Sequence, residues 1–383
     1  MTASFRPRVL ICTDWFVPGF KAGGPIRSLD AVVHGLADRF DFDVLTSDRD
    51  LGDAAAYQGI EPDRWLDRGP GLRVMYLSPS ARTRRRTTEV VRSTPWDCLY
   101  LNSMYSIPFT LYPLLAAKGL GKRIVLAPRG MLHPGALKIR PLKKRGFLAA
   151  FRIAGLHRHV VFQATAAEEK SHIIRSFGSE TTVAVAPNLP SPLPPAMPPL
   201  EKRPGSLRIA CVARVARNKN LKFLLERLAS VQGDVTLAFY GPVEDRPYWQ
   251  ECLDAAARLP AGIRFDACGP VSPELLTQAL ARSHVFCLPT EGENFGHAIW
   301  EALAAGRPPI ISDRTPWRRL KDSGAGWDLP LERPDDWEAT LASLVEMDDD
   351  AWRHHSAAAR KLAEDYLRNT DAVGLAALVF HPE

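Results

Sequence analysis

Cysteine is scarce in this chain, with six among 383 residues: Cys12, Cys98, Cys211, Cys252, Cys268 and Cys287. No two of them form a Cys-x-x-Cys pair, and most lie in apolar, strand-like runs. A disulfide framework or a zinc ribbon is therefore not expected; reduced core cysteines of a cytoplasmic protein are. Long hydrophobic runs are also missing. No stretch approaches the roughly 18 uninterrupted apolar residues of a membrane-spanning helix. The chain enters the apolar run Arg8-Val-Leu-Ile-Cys-Thr13 almost at once and leaves it at Asp14, which is not the pattern of a secretory signal. There is no Cys/His set and no Asp-x-Asp pair in a suitable loop to suggest a metal centre. Asp348-Asp-Asp350 reads as the acidic opening of a late helix. Internal repeats are absent, and the only low-complexity tract is rich in proline.

What is present suits two domains. A length of 383 residues exceeds what one hydrophobic core usually serves. Through residue 190 the chain carries 27 Lys and Arg against 16 Asp and Glu, and beyond it 22 against 27, so a basic first part meets an acidic second part. The change falls in Pro187-Asn-Leu-Pro-Ser-Pro-Leu-Pro-Pro-Ala-Met-Pro-Pro199, where prolines forbid a helix or central strand and make a semi-rigid spacer. The expected organisation is a first domain over 1–190, a linker over 191–204, a second domain over 205–365 and a C-terminal segment over 366–383. Both parts alternate strand and helix. Strands are expected at Val9–Thr13, Phe42–Thr46, Leu72–Leu77, Cys98–Leu101, Arg123–Ala127, Val160–Ala164 and Thr182–Ala186. In the second part they are expected at Leu207–Ala213, Val235–Tyr240, Ile263–Asp266, His284–Leu288 and Pro309–Ser312. Such alternation means an α/β class with doubly wound, parallel sheets.

The most informative stretch is Glu291-Gly-Glu-Asn-Phe-Gly-His-Ala-Ile-Trp-Glu301. It follows a short buried strand that Pro289 stops, and it runs into the small-residue helix ending Ala-Leu-Ala-Ala-Gly306. The motif thus spans a strand–loop–helix junction, where free helix amides attract phosphate. Glu293 lies in the loop and Glu301 in the helix. Eight helical residues rise about 12 Å, so the two carboxylates can hold hydroxyls at opposite ends of an elongated ligand. A nucleotide sugar has that form.

This segment, with Gly306-Arg-Pro-Pro-Ile-Ile-Ser-Asp-Arg-Thr-Pro-Trp317 after it, resembles the Glu-x7-Glu region of family 4 glycosyltransferases. The resemblance implies the GT-B architecture: two Rossmann-like domains facing a central cleft, with the C-terminal segment crossing back to the first. It also implies a retaining, metal-independent glycosyltransferase that needs no cofactor beyond its nucleotide-diphosphate sugar donor. In that frame Glu293 contacts sugar hydroxyls with the backbone of Asn294, Phe295 and Gly296, and Glu301 binds the ribose. His297 reaches the sugar or phosphate.

Two more loops carry phosphate chemistry. Pro18-Gly-Phe-Lys-Ala-Gly-Gly-Pro-Ile-Arg27 follows the opening strand, and Gly23 and Gly24 allow close backbone approach before Pro25 starts a helix. It is similar to the family's glycine-rich donor loop. Val212-Ala-Arg214-Val-Ala-Arg-Asn-Lys219 opens the second part, and its Arg214 and Lys219 match the spacing of the family's diphosphate clamp. Arg217, one turn away, is an alternative for Arg214. Family members place a His after the strand that here is Arg123–Ala127. Here Arg129 stands in that place and His133 follows four residues later, which leaves Arg129 as an acceptor-binding candidate and His133 as a catalytic one.

The basic first part suggests the acceptor side. Arg82, Arg84, Arg85 and Arg86 form one cluster; Lys138, Arg140, Lys143, Lys144 and Arg145 form another beside Phe147 and Phe151. Cations beside an apolar stripe suit an anionic membrane surface, and no nucleic-acid motif accompanies them. The expected partners are a glycan or lipid-linked acceptor and the inner face of the cytoplasmic membrane, as in cell-surface polysaccharide or lipopolysaccharide synthesis. Two alternatives stay open: a nucleotide-sugar 2-epimerase of the same fold, and a non-catalytic nucleotide-sugar binding module.

Overall fold

A computed structural model of the chain describes residues 6–381 except 139, 198 and 199. Residues 1–5, Pro198 and Pro199 of the expected linker, and the last two residues of the expected C-terminal segment lie outside the described residues. The chain divides into two compact units, Met1–Leu189 with Asp371–Glu383, and Pro190–Thr370. Between Ala186 and Arg203 the described residues carry no helix or strand. Proline at this density removes the amide donors that either structure needs.

The first unit holds β1 (Arg8–Cys12), β2 (Asp41–Ser47), β3 (Trp65–Gly69), β4 (Leu72–Leu77), β5 (Cys98–Leu101), β6 (Arg123–Leu126), β7 (Val161–Ala164) and β8 (Val183–Val185). Its helices are α1 (Gly24–Gly35), α2 (Arg84–Ser93), α3 (Tyr112–Ala117), α4 (Pro134–Lys138), α5 (Pro141–Ile153) and α6 (Ala167–Phe177). The sheet order is β3-β4-β2-β1-β5-β6-β7-β8. Every pairing is parallel except β3 with β4, where Leu66 faces Val74. The edge strand β3 is short, mostly polar and partly exposed, which is why no strand was expected there. The inner strands are apolar without alternation because helices cover both faces: Leu10 and Leu99 enter one core layer, and Val9, Ile11 and Val44 enter the other.

The second unit holds β9 (Ser206–Val212), β10 (Asp234–Tyr240), β11 (Ile263–Gly269), β12 (Val285–Leu288), β13 (Pro309–Ser312) and β14 (Trp327–Leu329). Its helices are α7 (Leu221–Leu228), α8 (Arg246–Ala256), α9 (Pro273–Ala281), α10 (His297–Ala304), α11 (Pro334–Glu346) and α12 (Asp349–Asn369). The order β11-β10-β9-β12-β13-β14 is all parallel, the strand order of a dinucleotide-binding domain. Trp300, Trp337 and Trp352 are among its largest fully buried side chains.

The last helix, α13 (Ala372–Phe380), belongs to the first unit. Phe380 meets Tyr100 at a ring separation of 5.2 Å and Phe40 at 5.8 Å. Arg123 Nε donates to the Val379 carbonyl at 2.8 Å, closing the C-terminus of that helix. Helix α13 was not among the expected elements, because its sequence is apolar all round and gives no helical periodicity.

Buried cations fix the second unit internally. Arg307 is 2% exposed, and its guanidinium donates to the Leu280 and Ala281 carbonyls at the C-terminus of α9, at 2.8 and 3.2 Å. Burial lowers its pKa to about 10, which still leaves it charged at neutral pH. This contact anchors the turn between α10 and β13. His284 is also buried: its Nδ1 accepts from the Arg208 amide and its other ring nitrogen meets the Glu201 carbonyl, a pairing that needs a neutral ring. Burial pushes its pKa down to about 4, in keeping with that role.

Candidate functional site

In doubly wound sheets ligands gather beyond the C-terminal strand ends, where the strand order reverses. In the second unit that point lies between β9 and β12, so the loops after these two strands meet there. The first brings Arg214 and Lys219, the second Glu293. Lys219 ends a single tight turn, Arg217–Lys219, and Asn220 then adopts a left-handed conformation to start α7. The loops are strapped by backbone: the Asn218 carbonyl accepts from the Glu291 amide at 2.8 Å and from the Thr290 hydroxyl at 3.1 Å. Thr290 is fully buried, and Ser312 donates to its carbonyl at 2.5 Å. Neither Asn218 nor Thr290 was singled out from sequence. Their signal is a buried hydroxyl just past a strand end, which only the fold makes legible.

The result is a close pair. Lys219 Nζ stands 2.5 Å from a Glu293 oxygen, and each side chain retains 15% exposure. Arg214 forms an ion pair with Glu244, a residue with no place in the sequence reading. Arg217 turns the other way, to Glu251 at 2.6 Å and Asp245 at 3.6 Å, with its guanidinium over the Tyr248 ring. Arg214 thus pairs with the loop after β10, and Arg217 is committed to α8.

Past Glu293 the chain is fixed by its aromatic residues. Phe295 is 6% exposed, and its carbonyl accepts from the Trp317 indole at 2.5 Å. Its ring packs among Trp317, Trp300, Tyr366 and His297. Only its backbone is thus available to a ligand. Gly296 then takes φ +78° as the N-cap of α10, and an added Cβ would stand 2.8 Å from Ile299 Cδ1. Asn294 lies in the loop just before them. His297 opens the helix, buried against Phe295, and Glu301 lies one turn further, partly exposed. Only the part of the Glu293–Glu301 interval from His297 onward is helical, so the rise of about 12 Å expected for eight helical residues does not describe it.

In the first unit the reversal point lies between β1 and β5. The glycine-rich loop follows β1. Gly23, at φ +69°, is the N-cap of α1; Gly24 is its first residue, and no atom lies within 4 Å of a Cβ built at Gly23. One Asp50 oxygen accepts from the Phe20 and Lys21 amides at 2.7 and 3.0 Å, and Lys21 Nζ reaches Asp53 at 2.5 Å. Asp50 sits in Asp48-Arg-Asp50, and Asp48 pairs with Arg49 and Arg82. Asp50 is thus committed to holding the loop, and Asp48 to the two arginines.

Arg129 follows β6 in a left-handed conformation, φ +53°. Its guanidinium donates to Asn102 and to the Tyr100 hydroxyl, each at 2.7 Å, and to Asn188. Tyr100 passes the chain on to Gln163 at 2.6 Å. Arg129 thus ties together the chain ends after β5, β6 and β8 through neutral oxygens. His133 ends the next turn, where it stacks edge-on against His172 at 5.0 Å. Glu169 pins that turn, accepting from the Gly130 amide at 2.6 Å and from Thr165 at 2.7 Å. Of the first basic cluster, Arg82 is paired with Asp48 and Arg86 with Glu89, while Arg84 and Arg85 stay exposed. Of the second, Lys143 and Arg145 are exposed, and Lys144 donates to the Ala136 carbonyl at 2.6 Å.

Comparison with known proteins agrees with this layout. Residues 206–347, within the second unit, match the family model described as Glycosyl transferases group 1. Phosphatidyl-myo-inositol mannosyltransferase of Mycobacterium tuberculosis is 36% identical over 112 residues, which are 28% of this chain and 29% of that protein. The chain thus matches less than a third of the length of this relative. Among solved structures, Anabaena HepE in complex with UDP and glucose has a TM-score of 0.68 at 15% identity, over 98% of both chains. Sucrose-phosphate synthase from Thermosynechococcus elongatus has a TM-score of 0.67 at 14% identity, also over 98% of both. The fold is the GT-B type, two Rossmann-like α/β domains. The match to the group 1 glycosyl transferases lies in the second unit, and the fold of the chain is the one these solved structures share.

Proposed function

We propose that the chain is a retaining, metal-independent glycosyltransferase of the family 4 type that moves a sugar from a nucleoside-diphosphate donor to a glycan or lipid-linked acceptor. The observation that carries this is the Lys219–Glu293 pair at the strand-order reversal of the second unit, with Arg214 earlier in the same loop as Lys219 and the α10 N-terminus after Glu293. Lys219 and Arg214 supply positive charge for a diphosphate, and exchange their carboxylate partners for its oxygens when a donor binds. Glu293 is then released to accept from sugar hydroxyls, and the Phe295–Gly296 backbone, held rigid by Trp317, completes the pocket. Glu301 binds the ribose hydroxyls, and the open glycine turn at Gly23 and Gly24 suits close backbone approach of a ligand. His133 and Arg129 serve the acceptor side, Arg129 by shaping the loops rather than by direct contact. HepE has been solved with UDP and glucose, and the mycobacterial relative is named for a lipid acceptor; both support this choice of substrates.

Glu301→Ala is expected to weaken the donor by about 1.5–3 kcal/mol, the worth of a hydrogen bond to a charged group. A thermal-shift screen of nucleotide sugars selects the donor, and calorimetry compares the two proteins. Unchanged affinity would remove Glu301 from the site. Conversion of the donor without any acceptor would reassign the chain to the epimerases.

The same proposal places the enzyme at the inner face of the cytoplasmic membrane, in cell-surface polysaccharide synthesis. Helix α5 presents Lys143 and Arg145, with Leu142 82% and Ile153 88% exposed. No helix among the described residues is long and apolar enough to cross a membrane. Attraction between such cations and anionic lipid is screened over about 8 Å at physiological salt. Co-sedimentation with anionic vesicles should therefore fall as salt rises, and fall further in a Lys143→Ser, Arg145→Ser protein. Equal pelleting with neutral and anionic vesicles would leave a soluble acceptor.

A further inference from the structure

We infer that the first unit carries a divalent transition-metal site formed by His133, Glu168 and His172, of the class that binds zinc. It is independent of the donor chemistry proposed above. Glu168 and His172 lie four residues apart on α6, hence on one helix face, and His133 comes from the turn after β6. One ligand atom from each of the three lies within 4.8 Å of the others, and His172 Nε2 is 4.0 Å from a Glu168 oxygen. Two imidazoles and a carboxylate, with a remaining position open to water, are a usual set for such an ion. Ligand atoms around a tetrahedral zinc stand roughly 3.4 Å apart, given bonds near 2.1 Å. The exposed Glu168 side chain can supply that contraction, since 77% of it is free to move in solvent.

His172 is the observation that asks for a ligand. It is 6% exposed, yet neither ring nitrogen makes a hydrogen bond among the described residues. His133 Nδ1 now accepts from the Gly135 amide at 3.1 Å, and ligation by either ring nitrogen releases that exposed amide to water. The expectation of no metal rested on the absence of a sequence motif. These ligands carry none, because His133 reaches the helix only through the parallel packing of β6 and β7. A bound ion would clip the Arg129–His133 turn to α6.

The test uses the untagged full chain, freed of metal with a chelator and then titrated with ZnCl2 by calorimetry and with CoCl2 by visible absorption. One equivalent should bind, with a d–d band for cobalt and a higher unfolding temperature that chelator reverses. Glu168→Gln, at an exposed position, should keep the metal-free unfolding temperature and weaken zinc at least about tenfold. His133→Gln should do the same, and the two together should abolish the cobalt band. No stoichiometric binding by the wild-type chain, or binding that both substitutions leave unchanged, would overturn the site.

Discussion

Lys219→Met is expected to lower turnover by about 10²–10³-fold, the usual cost of removing one preorganised donor to charge that develops in a transition state. Stability should change less than activity. Lys219 and Glu293 keep some contact with solvent, so Glu293 can rehydrate when its partner is removed and the loss stays below that of breaking a fully buried pair. Charge on the departing diphosphate is greatest at the transition state, so kcat should fall more than donor affinity. The assay is steady-state kinetics with the nucleotide sugar that the screen selects, alongside the unfolding temperature. If the variant loses folding and activity together, or keeps full kcat, Lys219 is not the diphosphate clamp. The same reaction mixtures give the product linkage by nuclear magnetic resonance. A configuration matching the donor's is expected, and an inverted one would reject the retaining mechanism.

Gly241→Ala is expected to destabilise the second unit by about 3 kcal/mol, the upper range for overpacking. Gly241 follows β10, and its amide bonds the Gly269 carbonyl at 2.9 Å while the Tyr240 carbonyl receives the Ala213 amide at 3.0 Å. A Cβ at this position would stand 1.7 Å from the Ala213 carbonyl oxygen and 3.4 Å from the Arg214 amide nitrogen. All of these are backbone atoms, so nothing can rotate away. The strain is therefore relieved by moving the Ala213–Arg214 segment, and donor affinity falls with stability. Gly292→Ala is the control: its nearest contact is 3.9 Å, to the Arg314 carbonyl, and it should leave stability unchanged. Urea titration of both proteins reads the difference. Equal midpoints would show that the β9–β10 backbone yields more readily than its hydrogen bonding indicates.

Much of the fold was legible in the chain itself. Leu72–Leu77, Cys98–Leu101 and Pro309–Ser312 are strands with the expected limits. A strand buried on both faces needs an unbroken apolar run, and a serine before a proline caps a helix, as Ser272 does for α9. The glycines at 23, 24 and 296 also announced themselves, since two of them take positive φ at helix starts. Elements whose residues satisfy no single period were not legible: β3 is an exposed edge, and α13 is apolar on every side.

Sequence alone determined the α/β class, the kinship of the Glu293–Glu301 segment and the residue types suited to a diphosphate, because each depends on neighbours within a few positions. The tertiary structure decided which of these residues meet. It set Lys219 against Glu293 across 74 positions, turned Arg217 to Glu251, and occupied Arg129 with Asn102, Tyr100 and Asn188. It also brought His133 to Glu168 and His172. These pairings follow from the strand order. Parallel sheets carry their loops to one edge, where residues distant in the chain become neighbours, and no local pattern in the sequence encodes which loops those will be.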